Sequence, residues 1–267
     1  MLLALLFASC EQMFTTNLFS GLTHPKPTAS QITEKTAAEL AKYVDSEANL
    51  KILAENPELK AAALAKLESV YEDPATPPAE KQTAAATAAT ISIETVESAS
   101  NFSSNLLGAL TASAASTSSG SSGSGMDSPT GVIDLLKDSL GEDISSQLAS
   151  SEEPPASFKA LIAAFVESYD AYAALGRSVA ESGGYAAGAD ISESEKNGIA
   201  INAIIASLVV SVEPVDGSKT QAQALWAALR NPEGASSALK ISDMDNLKAL
   251  PIYSLVTASS LGSLVEE

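Results

Sequence analysis

Cysteine and histidine are almost missing from this chain of 267 residues, which has one of each, Cys10 and His24. A lone cysteine closes no intramolecular disulfide, and one cysteine with one histidine cannot supply the ligand set of a zinc site. A catalytic thiol would want a base beside it, and His24 lies in the proline-flanked stretch THPKP. Basic residues are scarce as well: 15 stand against 33 acidic ones, for a formal net charge of −18. Without a dense Lys/Arg patch to release counterions, nucleic acid is excluded as a partner. Aromatics make up 5% of residues and Trp226 is the only tryptophan; that is too few large side chains for a β-sandwich core, and few platforms for a sugar beside the plentiful carboxylates. Long apolar runs are absent too. The most apolar internal stretch, 199–212, has fourteen residues and includes Asn202 and Ser207, whereas about twenty are needed to cross a bilayer. It is expected to be a core helix.

What the chain has instead is alanine. With 45% hydrophobic residues, many of them alanine, it can bury a substantial core and favours closely packed helices. The expected fold is all-α, an Ala-rich helical bundle or an array of helical hairpins. Helices are expected over 33–44 and 46–55, and from Pro57 onward, where Leu59, Ala63, Leu67, Val70 and Tyr71 share a face. The DPATPP break follows, with Thr76 as the expected cap and Pro77 at the first helical position of a long helix over 79–110. That helix contains TISIETV, which alternates like a strand but sits among alanines and lacks turns on either side. Later helices are expected over 130–139, 142–150, 155–177, 192–212, 218–230, 236–250 and 252–265. Over 155–177 the residues Phe158, Leu161, Ile162, Phe165, Val166, Tyr169, Tyr172 and Ala173 form a broad apolar stripe, and Ser192 with Glu195 fits a capping box. Asn231-Pro232-Glu233 echoes Asn56-Pro57-Glu58 as a break between helices, although no 34-residue period can be read.

The lone cysteine stands directly behind an apolar run, Met1 to Phe7, and two small residues. Phe7-Ala8-Ser9-Cys10 resembles the lipobox of bacterial lipoproteins, with Phe7 as a relaxed variant of the usual leucine. The resemblance covers about ten residues. It implies that residues 1–9 are a signal peptide, that Cys10 is acylated and becomes the first residue after cleavage, and that the protein is held on a membrane of the bacterial envelope. No Lys or Arg precedes the short apolar run, so the signal is expected to begin upstream of Met1. Three acyl chains, as is typical of the class, would anchor the protein effectively permanently.

The implied organisation is a tether over 10–30, a helical part over 31–112, a Ser/Gly segment over 113–129 and a second helical part over 130–267. Segment 113–129 cannot bury enough surface to order itself and is expected to be a disordered linker or loop. In the tether, Phe14, Leu18, Phe19 and Leu22 fall on one face of a short helix and are expected to dock on the helical body.

Catalytic motifs appear only as near-misses. Ser237-Ala-Leu-Lys240 matches S-x-x-K, but Lys219-Thr220 precedes the serine and is followed by Gln221 rather than glycine. Gly176-Arg-Ser178 lacks the final glycine of a nucleophile elbow, and Gly120, Gly123 and Gly125 follow no strand and match no phosphate-loop spacing. Asp243 and Asp245 begin a calcium-loop spacing that fails at Leu247. The chain is therefore read as non-catalytic, without cofactor or metal. Its expected role is protein interaction or structure in the envelope, with an envelope protein as partner; the alternative is a ligand-binding or transport-accessory lipoprotein similar to tetratricopeptide-like components of solute-uptake systems. One internal site candidate remains, the Gly-rich stretch 182–188, where Tyr185 is expected to stand exposed on a loop at the mouth of a helical groove.

Overall fold

A computed structural model describes residues 27–106, 137–234, 239–241 and 250–259. The body is all-helical apart from one ribbon of two three-residue strands. In chain order its main elements are α1 (Ala29–Thr33), α2 (Ala37–Val44), α3 (Glu47–Glu55), α4 (Pro57–Tyr71), α5 (Pro78–Glu94), α6 (97–106), α7 (Glu142–Ser145), α8 (Ala156–Ser182), α9 (Glu193–Ser211), β1 (Val212–Pro214), α10 (Gln221–Arg230), β2 (Leu239–Ile241) and α11 (Tyr253–Thr257), with a short 3-10 turn over Pro232–Gly234.

Helix starts follow local chemistry. Thr28 with Gln31, Thr36 with Glu39, Ser192 with Glu195 and Thr220 with Gln223 each form a reciprocal capping box, opening α1, α2, α9 and α10. In each, a hydroxyl takes the N3 amide while the N3 side chain takes the N-cap amide, which satisfies two otherwise orphaned donors. Pro57 occupies the first turn of α4, where a missing N–H costs nothing. The same device opens α5 one residue later than the sequence suggests: Pro77 is the cap and Pro78 the first helical residue. Asp73 arrests the chain before it, its carboxylate accepting the Ala75 amide at 2.9 Å and its carbonyl the Thr76 amide at 3.1 Å.

The fold is organised around α5. Alanines and β-branched residues bury it on nearly every side, and it packs on α8, α4 and α2. A helix apolar all round must be interior, and small side chains let its neighbours approach closely. Thr87 survives in this setting because its hydroxyl donates to the Thr83 carbonyl at 2.7 Å. Helices from both sides of 107–136 contribute to one hydrophobic cluster, from Leu40 and Leu67 to Phe165 and Trp226. Phe102 meets Phe165 edge-on, with centroids 5.8 Å apart, and Phe158 tilts against Trp226 at 5.0 Å. The Trp226 indole donates to the Ser151 carbonyl at 3.1 Å and Arg230 to that of Leu148 at 3.0 Å, fastening α10 to the turn after α7.

Several sequence expectations are corrected. The long helix over 79–110 breaks after Glu94, where the Thr95 hydroxyl donates to the Ile91 carbonyl at 2.6 Å and its amide serves the Ile91 and Ile93 carbonyls; α6 then starts afresh at 97. TISIETV is helical through Glu94. Helix α8 runs past residue 177 to Ser182, since Val179 continues the buried face; it ends where Gly183 turns left-handed at φ 68° and the Gly184 amide returns to the Val179 carbonyl at 2.9 Å. On that helix Val166 faces outward, and Ser168 takes the buried position with its hydroxyl on the Phe165 carbonyl. Helix α9 stops at Ser211 because Pro214 disfavours helix at the residue before it. Val212–Pro214 is instead extended and pairs antiparallel with Leu239–Ile241, which overturns a continuous helix over 236–250. The helix expected over 252–265 is cut short: it runs Tyr253–Thr257 and is closed by the Ala258 amide on the Ser254 and Val256 carbonyls.

Candidate functional site

Phe7, Ala8, Ser9 and Cys10, together with Phe14, Leu18, Phe19, Leu22 and His24, lie outside the described residues, as does 113–129. Lys240 of the S-x-x-K match lies in an extended strand rather than a helix. Gly176 and Ser178 sit inside α8, and a Cβ at Gly176 would lie 2.2 Å from the Pro251 carbonyl oxygen; the apparent elbow is a close packing contact. Among the described residues no group of three or more His, Cys, Asp or Glu is arranged to hold a metal ion, and no helix is long and apolar enough to cross a membrane.

The internal site candidate is the α8–α9 connection, and here Tyr185 departs from expectation. It is half-buried rather than exposed, and its hydroxyl is enclosed without a hydrogen-bond partner. The ammonium of Lys196, one turn into α9, stands 5.0 Å from the centre of the Tyr185 ring and also pairs with Glu193. Tyr172 of α8 is almost wholly buried, with the Asn202 side chain of α9 near its hydroxyl. Asn202 Oδ1 is enclosed without a hydrogen-bond partner.

The connection is pinned from across the fold. Gln82, fully buried in the first turns of α5, accepts the Ala186 amide at 2.8 Å and donates to the Gly184 carbonyl at 3.4 Å. Its neighbour Thr83 accepts the Asp190 amide at 3.1 Å. Gln82, Thr83 and Lys196 were not singled out by the sequence. The one available signal is that Gln82 and Thr83 interrupt an otherwise small, apolar helix.

Burial is the leading cause that pushes four tyrosines up: Tyr43, Tyr71, Tyr172 and Tyr185, with Tyr71 reaching about 12 under the added influence of Glu68, Glu72 and Asp170. The native state thus holds phenolic protons that the unfolded chain releases near pH 10. Stability from these groups is intact below about pH 10 and lost as pH rises toward and through about 12. Denaturant midpoints measured from pH 8 upward should stay level with respect to these phenols and then fall above about pH 10, in step with native phenolate absorbance appearing late. A midpoint flat across that upper range would contradict their burial.

A scan against protein-family models, a search of the curated proteins and a search of the solved structures each find no match to this chain.

Proposed function

We propose that this chain is a lipid-anchored protein of the bacterial envelope, tethered through Cys10, whose helical body has a non-catalytic role in protein interaction or structure. The observation that carries the reading is the sequence Phe7-Ala8-Ser9-Cys10, with the only thiol of the chain at the position that lipoproteins acylate. The character of the surface supports it. Among the residues whose side-chain burial is described, Val166 and Val215 are the large apolar side chains that stand exposed. Acidic residues outnumber basic ones by more than two to one. A partner is therefore expected to present a basic, polar face, and association should weaken as salt screens it.

In-cell crosslinking of the anchored protein tests this reading. One defined envelope protein should be recovered, with a yield that falls at higher ionic strength when the complex is reconstituted. Recovery of the protein without any crosslinked partner, but with a small molecule retained through native mass spectrometry, would contradict it and favour a ligand-binding lipoprotein.

A further inference from the structure

The α8–α9 connection has the construction of a lid. Both of its ends are finished independently of its middle: α8 closes at Gly183 with its own carbonyls, and α9 opens with the Ser192–Glu195 box. Between them Gly184 and Gly188 adopt φ of 143° and 94°, which other residues rarely adopt, and residues 187 and 188 are exposed. The span is held down by side chains of two adjacent residues, Gln82 and Thr83, on a helix about a hundred positions away.

The closed state also has a standing cost. The Tyr185 hydroxyl is enclosed without a hydrogen-bond partner. Buried polar atoms in native proteins nearly always have one, so exposure to water relieves a penalty that closure imposes. We infer that residues 185–190 form a lid that opens as a unit about Gly184 and Gly188, with Gln82 and Thr83 as the latch and the enclosed Tyr185 hydroxyl as the polar group it exposes. The bounding helices remain folded while it moves, because nothing in their caps depends on the latch.

Amide hydrogen exchange on the full chain tests both the lid and its unity. The Ala186 amide is bonded to Gln82 and the Asp190 amide to Thr83, so independent fraying and concerted opening give different results. If the segment opens as a unit, Thr83→Val should accelerate exchange at Ala186 as well as at Asp190, by roughly tenfold, the effect of losing one hydrogen bond. Gln82→Ala should do the same at Asp190, amides over 171–175 of α8 should not change, and iodination of Tyr185 should quicken with the lid. Acceleration confined to the amide whose own acceptor was removed would overturn the inference. So would an equal rise over 171–175. Should Gln82→Ala fail to fold, Thr83→Val decides by itself.

Discussion

Replacing Gly176 with alanine should destabilise the protein by about 3 kcal/mol, at the upper end of the usual cost of overpacking. The reason is local and geometric. A Cβ there would lie 2.2 Å from the Pro251 carbonyl oxygen, 2.6 Å from its carbonyl carbon and 3.0 Å from the Ile252 nitrogen. All three are backbone atoms, so no side-chain rotation relieves the clash. The contact also anchors the end of the described chain: the Ser254 hydroxyl donates to the Gly176 carbonyl at 2.6 Å, and Ile252 and Leu255 are fully buried beside it. Alanine must push this turn off α8 and open the core beneath it. In a chain of this size such a loss lowers the melting temperature by roughly 10 °C. Gly198 supplies the control, since it lies within α9 with nothing within 4 Å of its added Cβ. There Gly→Ala should stabilise by about 0.5–1 kcal/mol through reduced backbone entropy in the unfolded chain. Thermal melts of the two variants should shift in opposite directions; a Gly176→Ala protein that melts with the wild type would refute the close approach of α8 to residues 251–254.

Cys10→Ser should abolish acylation and with it the lipid anchor. A hydroxyl cannot form the thioether on which lipoprotein maturation depends, so the variant should either accumulate with its signal peptide uncleaved or leave the membrane fraction. The effect is expected to be close to complete, because each buried methylene of an acyl chain is worth about 0.8 kcal/mol and several chains leave no appreciable free population. The described body offers no substitute, since none of its helices is long and apolar enough to cross a bilayer. Its acidic balance gives it no electrostatic attraction to anionic lipid. Fractionation of cells expressing each form distinguishes the variants, and a Cys10→Ser protein that is processed and retained like the wild type would count against anchoring at this residue.

How far the fold could be read ahead depended on the range of the interactions. Where a few neighbouring residues decide, sequence and structure agree: the Ser192–Glu195 box, the Asn56-Pro57 break and most of the apolar stripe of α8 are all set within a turn or two of chain. The break at Thr95 is also local, yet a threonine hydroxyl can bond back to a carbonyl without ending a helix, and the residue types do not announce which outcome wins. Strand β2 was hidden because its extended state depends on pairing with residues 212–214 more than twenty positions earlier. The latch on Tyr185 was hidden more deeply. Gln82 and Thr83 meet the connection 102 to 107 positions away, so a glycine-rich stretch that reads as a free loop is fastened down, and its tyrosine turns inward.

Mass spectrometry of the mature N-terminus, after growth with a palmitate analogue and expression from the native start, tests the central claim most directly. The mature protein should begin at Cys10, carrying the label, with residues 1–9 absent. An unlabelled chain that retains Phe7, Ala8 and Ser9 ahead of a free Cys10 thiol would contradict it.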